Sequence, residues 1–390
     1  MRRLLQGFRN FIRNGDMLLL VLCLVTTAFG CLMISSATSG YSEGFARYLI
    51  VQIGATALGV LMYAFFSTID AEFFTEHRLW LIVFNFILLL LLIPFGETIN
   101  GNRSWLNFPF LPFNSQPAES CQITFILLMA SVMNARQHRL SSPASIWHMV
   151  IQLLLLLVPN MLISEDLGVS MIFVFIFVGM TYSGGVNILW FLGAIGAVAL
   201  AAPFVWPLLS ENQQLRIQIL FDPTIDPLGI GPRYHSMLSL KSLTGGGMTG
   251  QGLFQGIRTS NGVLFAQHTD YIFSAIGEEL GYVGCVLVVV MLAAIVARCI
   301  WVGVRSSDYM RKLICFGAAS ALIFQVCSNV GMCIGVTPVI GLTLPFISYG
   351  GSSLVSLYAM MGLVSGVYAR PAPASHERYI RPPYAMKTLR

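Results

Sequence analysis

Six carboxylates sit at or near the ends of long apolar runs: Glu119, Glu165, Asp166, Asp270, Glu278 and Glu279. Ionisable groups beside membrane-length apolar segments are expensive to place and are functional candidates by default. Asp270 falls in the stretch HTDYIFSAIGEELGY, residues 268–282, which runs straight into VGCVLVVVMLAAIVA. A carboxylate there can take a proton from a hydroxyl. It can also share a hard divalent cation, Mg²⁺ or Mn²⁺, with a phosphate ligand. Soft-metal chemistry is not expected, because no H-E-x-x-H occurs and the six histidines are scattered. For Glu119, Asp166, Glu278 and Glu279 the competing reading is structural: pairing with Arg103, Lys241 or Arg258 to hold loops in place.

The elements that must position these groups are membrane helices. The chain is 56% hydrophobic and 10% charged, with a mean hydropathy of +0.75; a soluble domain is nearer a quarter charged. Apolar runs long enough to span a bilayer lie near 17–36, 48–66, 79–95, 116–133, 146–163, 167–182, 187–209, 277–301, 312–335 and 345–368. The expected fold is an all-α polytopic membrane protein of about ten transmembrane helices. Seven of them occupy 17–209, a large outer loop covers 210–270, and three more lie in 271–368, between short end segments 1–16 and 369–390. Only a Ser164-Glu165-Asp166 break separates the fifth and sixth runs, so nine spans is an alternative count. No cleavable signal peptide is expected, because the first run is itself long enough to span.

Six cations, Arg47, Arg103, Arg216, Arg233, Lys241 and Arg258, then fall on one side, and the other sixteen of the 22 fall on the opposite side. The positive-inside rule puts both termini in the cytoplasm and the large loop outside. The net charge of +5 is mostly this orientation signal, and no nucleic-acid partner is expected. The eight cysteines lie in or beside spans, where cysteine acts as a small apolar residue, and no structural disulfide is expected.

Unusual polar residues gather on the outer side. The loop GETINGNRSWLNFPFLPFNSQPAE holds Arg103 beside Trp105, with Phe108, Phe110 and Phe113 also readable as an interfacial aromatic belt. The large loop interleaves apolar residues throughout, which predicts short helices lying against the membrane surface. Its TGGGMTGQGLFQG segment lacks a following G-K-[ST], so it is not a nucleotide loop. Close backbone approach to another group is the favoured reading, with phosphate contact through exposed amides as the alternative. The basic, proline-bearing C-terminal segment reads as a disordered tail.

Four motifs resemble the SEDS proteins, the group of RodA, FtsW and SpoVE. They are GNRSWLNFPFLPFNSQPAE, EDLGVS, the pair SLKSLTGGGMTGQG and HTDYIFSAIGEELG, and NVGMCIGVTPVIGLTLPFISYGGSSL, in the family's order. The resemblance covers essentially the whole chain. It implies a glycosyltransferase in the bacterial cytoplasmic membrane that polymerises lipid II outside the cell, with a class B penicillin-binding protein as partner and no organic cofactor. It also implies that Asp270 is the catalytic aspartate and that Arg103, Trp105, Glu119 and Asp166 belong to the site. Lys241 and Arg258 are the further cations expected to face the leaving pyrophosphate. One carboxylate acting as base on an α-linked pyrophosphate donor predicts inversion to a β-linkage.

The sequence departs from the family's pattern where Gln122 replaces a usual lysine, Glu165 a proline, Ile340 a threonine and Leu238 a glutamine; Val263-Leu264-Phe265 also replaces a stretch usually ending in Leu-Pro. Two other classes stand beside the polymerase: a flippase for lipid-linked precursors, and a non-catalytic scaffold of the cell-wall machinery. A flippase should show inverted repeats, and none is evident between the two halves.

Overall fold

A computed structural model describes residues 13–41, 45–70, 73, 78–99, 102–108, 113–208, 211–225, 233–264 and 266–370. The first twelve residues, Phe110, Phe265 and the tail after 370 lie outside the described residues. The helices are α1 (Met17–Ala37), α2 (Phe45–Thr68), α3 (Arg78–Leu90, continued by the turn Leu92–Phe95), α4 (Pro117–Ala135), α5 (Pro143–Ile163), α6 (Leu167–Gly184) and α7 (Ile188–Val205). Then come α8 (Glu211–Phe221), α9 (Arg233–Gly246), α10 (Ile257–Ser260), α11 (Ile272–Arg305), α12 (Tyr309–Cys333) and α13 (Gly351–Ala369).

Polar caps mark where the apolar runs become helices. Asp16, Ser142, Asp166, Asn187 and Asp308 each accept a backbone amide from the first turn that follows, which satisfies one of a helix's orphan donors. Pro117 and Pro143 stand at the first helical positions of α4 and α5, where a missing N–H costs nothing. The Ser164-Glu165-Asp166 break is a true reversal between two helices. Glu165 adopts φ 53°, and fully buried Asn160 donates to the Asp166 carbonyl at 3.3 Å.

Among the described residues nine helices are long and apolar enough to cross a membrane: α1 to α6, α11, α12 and α13. The expected seventh span is the shorter α7, which is apolar over Ile188–Phe204. Pro203 and the Trp206–Leu208 turn close it. Leu192, Ile195, Val198, Leu200 and Phe204 are all exposed along it. Its N-terminal end is tied to the α4–α5 connection by Asn187 N and Trp190 Nε1, which donate to Ser141 at 2.9 and 3.0 Å.

The last span also starts later than its composition predicts. Residues 334–350 stay non-helical, and α13 begins only at Gly351. This segment is nevertheless deep in the protein, with Leu344, Phe346 and Ile347 buried. A Cβ on Gly30 of α1 would sit 2.7 Å from the Ile347 main chain, so glycine is what admits the segment. Irregular backbone at this depth is tolerable because protein, not lipid, surrounds it.

α11 is broken at Gly281, which takes φ 65° and ψ −162°. Residues 272–279 are all buried, whereas Tyr282, Val283, Val286 and Val290 beyond the break are exposed. Glu278 and Glu279 therefore lie in the protein-packed part of this helix, before the exposed stretch. The glycine-rich segment covers the break. Gln251 N and Gly252 N donate to the Glu278 and Glu279 carbonyls at 2.9 and 3.0 Å, and Tyr282 N and Val283 N donate back to Gly247 and Met248 at 2.9 and 3.2 Å. The backbone groups freed by the kink are thus paired. Those loop amides are engaged in this seam, which favours close approach over phosphate contact.

One side of α9 packs against α11 and the end of α12. Ser239 and Ser242 are buried, and Ser239 Oγ donates to the Cys333 carbonyl at the end of α12 at 2.8 Å.

Candidate active site

A cavity of about 830 Å³ opens between the loops at one end of the bundle and the helices. Asp270, Asp166, Glu119 and Trp105, four of the residues singled out in the sequence, line it together. They arrive from separate elements. Asp270 lies on the loop before α11, Asp166 caps α6, Glu119 occupies the first turn of α4, and Trp105 sits on a hairpin.

That hairpin, β1 (Gly96–Ile99) and β2 (Asn102–Leu106), stands where the sequence predicts only an aromatic-rich loop. Leu106 pairs on with Ser115 through two main-chain bonds of 2.8 and 2.9 Å. This returns the chain to Gln116 and α4, so Trp105 and the start of α4 share one wall.

Each carboxylate has a distinct environment. Asp166 accepts Val169 N at 3.1 Å and Gln116 Nε2 at 2.8 Å. Burial raises its pKa, and these bonds to the Val169 amide and to Gln116, together with a bond from the Gly168 amide, hold it back. Much of Asp166's bonding capacity is thus spent on holding α6 and Gln116. Glu119 faces Ser352 and Ser353 of α13, and its Oε2 is buried without a hydrogen-bond partner.

Burial pushes the Asp270 carboxyl up to about 6; a bond from Thr269 opposes this and the negative charge of Asp166 adds to it. Gly341, at φ 75°, passes so close that a Cβ would stand 3.5 Å from Asp270 Oδ2. Half-buried and with its proton affinity near neutrality, Asp270 is suited to exchange a proton with a bound hydroxyl.

The three cations expected beside the site do not line the cavity. Arg103 donates to the Ile93 and Gly96 carbonyls at 2.5 and 3.3 Å, closing the end of α3. Arg258 stands 3.5 Å from the Glu278 carboxylate, which also takes the amides of Arg258 and Thr259, both at 3.0 Å. Lys241 is exposed on α9. The cation that the cavity does present is Arg47, in the first turn of α2 and close to Tyr349. Among the described residues it is the one lysine or arginine on the lining. Nothing in its local sequence marked it beyond its place among the outer cations.

Beside the lining residue Tyr349, His268 packs edge-on to Tyr41 and Tyr48, with ring centroids 5.5 and 5.0 Å away. Burial lowers its pKa to about 4, so it is neutral at pH 7. The inner end of the cavity is mixed. Gln122 and Gln325 approach at 3.5 Å, beside apolar Ile123, Ile172, Leu357 and Met360. Gln122 stands where the resembled family carries lysine.

A resident divalent cation has little to hold it here. Among the described residues no three His, Cys, Asp or Glu side chains are grouped closely enough to bind a metal ion. The orphaned Glu119 Oε2 and the Asp270 carboxylate do not complete such a set.

The fold and site define a polytopic helical membrane protein with an acidic cavity roofed by loops on one face. A sequence profile described as cell cycle protein, for FtsW, RodA and SpoVE, matches residues 16–371, and the chain belongs to that family. It is 30% identical over 358 residues to the peptidoglycan glycosyltransferase MrdB of Escherichia coli, covering 90% of this chain and 93% of MrdB. Stage V sporulation protein E of Bacillus subtilis is 29% identical, with 91% and 97% covered. Among solved structures, a chain of a peptidoglycan synthase complex that coordinates polymerization and crosslinking superposes with a TM-score of 0.78 at 27% identity, covering 92% of this chain and 99% of that one. A variant of the Thermus thermophilus rod shape determining protein RodA gives 0.68 at 25% identity, covering 92% and 99%.

Proposed function

We propose that this protein is a peptidoglycan glycosyltransferase that polymerises lipid II, with Asp270 as the general base. The observation that carries the catalytic assignment is the convergence of Asp270, Asp166 and Glu119 from three elements on one cavity, with Asp270 held near neutral proton affinity. The acceptor hydroxyl gives its proton to Asp270 as its oxygen bonds to the donor's anomeric carbon. The bond from that carbon to the pyrophosphate breaks, and its electron pair leaves on the phosphate oxygen. Arg47 faces the negative charge that develops there. Trp105 offers a flat apolar face to a sugar ring, and Ile123, Ile172 and Leu357 suit the isoprenoid chain. Mg²⁺ or Mn²⁺, if it enters with the pyrophosphate, would draw most of its oxygen ligands from substrate and water.

The family likeness and the apolar helices support a multi-pass protein of the bacterial cytoplasmic membrane, with both termini cytoplasmic and the cavity outside. The synthase complex among its structural relatives supports a class B penicillin-binding protein as partner.

The deciding experiment is polymerisation of purified lipid II by the purified protein and by Asp270→Asn. Glycan strands from the wild type and none from the variant, with both equally well folded in detergent, is the expected result. An active Asp270→Asn would remove the base. A wild type that moves lipid II across vesicle membranes without joining it would instead favour the flippase.

A further inference from the structure

Asp270 stands on backbone with no regular structure, yet three successive carbonyls of its loop are bonded. The His268 carbonyl accepts Tyr349 N at 2.9 Å. The Thr269 carbonyl accepts Ser348 Oγ at 2.6 Å. The Asp270 carbonyl accepts Asn329 Nδ2 at 2.8 Å, and the same nitrogen donates to the Leu342 carbonyl at 2.7 Å. One amide of α12 therefore joins the Asp270 loop to the 334–350 segment.

That segment is itself fixed from α2. Fully buried Gln52 donates to the Ser348 carbonyl at 3.1 Å and accepts Gly350 N at 3.3 Å, and Ser348 Oγ accepts Leu344 N at 2.8 Å. Asn329 and Ser348 are buried and neither lines the cavity.

We propose that Asn329 and Ser348 are positioning residues for the transfer reaction. They aim the Asp270 carboxylate at the acceptor hydroxyl by gripping the main chain at 269 and 270, without touching substrate. This rests on Asp270 being the base. A base displaced by about 1 Å loses on the order of 100-fold in rate even when binding is intact. The effect of breaking the grip therefore falls on kcat and spares KM.

The test measures lipid II polymerisation by Asn329→Leu, Ser348→Ala and Ser348→Thr, with thermal unfolding in detergent to count folded protein. Asn329→Leu should lower kcat per folded molecule on the order of 100-fold, with KM within about twofold. Ser348→Ala should lower it in the same sense, and Ser348→Thr, which keeps the hydroxyl, should recover most of the loss. Wild-type kcat per folded molecule in Asn329→Leu and Ser348→Ala overturns the proposal, as does a loss that Ser348→Thr fails to recover. Should Asn329→Leu not fold, the two Ser348 variants decide the matter alone. Asp270→Asn is run alongside. If it polymerises like the wild type, the catalytic assignment fails and the positioning role with it; if it is inactive while Asn329→Leu and Ser348→Ala are unimpaired, only the positioning role fails.

Discussion

Glu278 holds Thr259 twice: one carboxylate oxygen takes both the backbone amide at 3.0 Å and the side-chain hydroxyl at 2.8 Å. The other oxygen takes the Arg258 amide. Glu278 thereby anchors the short α10 to the buried first part of α11. Its replacement by alanine leaves buried donors unpaired and should cost about 2–3 kcal/mol. Thermal unfolding in detergent should show a clear drop for Glu278→Ala and a smaller one for Glu278→Gln, which keeps one acceptor oxygen. Equal stability of Glu278→Ala and wild type would count against the anchor.

The seam over the α11 kink makes a sharper comparison between two glycines. Gly247 has φ 57° and open space where a Cβ would go; Gly250 has φ 82° and would drive a Cβ to 2.0 Å from the Glu279 carbonyl. Gly247→Ala should cost only the left-handed backbone penalty, about 1–2 kcal/mol. Gly250→Ala should also part the seam, so limited proteolysis should cut its 247–260 region much faster than that of Gly247→Ala. Identical cleavage rates would show that the seam does not hold the loop.

The pH profile follows from the sign of one shift. A base works ionised, and burial holds the Asp270 proton up to about 6. Polymerisation should be full above that pH and fall by about tenfold per unit as pH drops below it. His268, lowered by burial to about 4, stays neutral around this limb and does not produce it. Asp166 raises the Asp270 value through its charge. Asp166→Asn keeps a capping side chain for α6 and should move the acid limb to lower pH. A limb that stays in place would exclude that coupling.

Arg47 separates cations that touch the site from cations that hold the scaffold. Arg47→Ala should lower kcat/KM for lipid II by about tenfold or more, the worth of one or two charge-assisted hydrogen bonds. Lys241→Ala, on the exposed face of α9, should leave kcat/KM within about twofold of wild type. The reverse ranking in steady-state assays would return Lys241 to the site.

Much of this arrangement is written locally in the sequence. Apolar length announces the helices, and Asp166 and Asp308 announce where two of them begin. Asp270, Asp166 and Glu119 could be named from their positions at the ends of apolar runs. What stayed hidden depends on backbone angles and on pairs distant in the chain. The break at Gly281 leaves hydrophobic periodicity untouched. The 334–350 segment is as apolar as a helix, so composition placed a span at 345 where the backbone stays irregular until 351. The short strands that aim Trp105 read as an aromatic loop. Arg47 gained meaning only once the cavity had a wall.

Because the Asp270 loop is gripped through its carbonyls, its shape is encoded mostly outside itself. The instructions for where the carboxylate points are stored 59 residues downstream at Asn329 and 79 residues downstream of Thr269 at Ser348. A graft of HTD alone onto another membrane scaffold would carry the reactive group and leave its address behind.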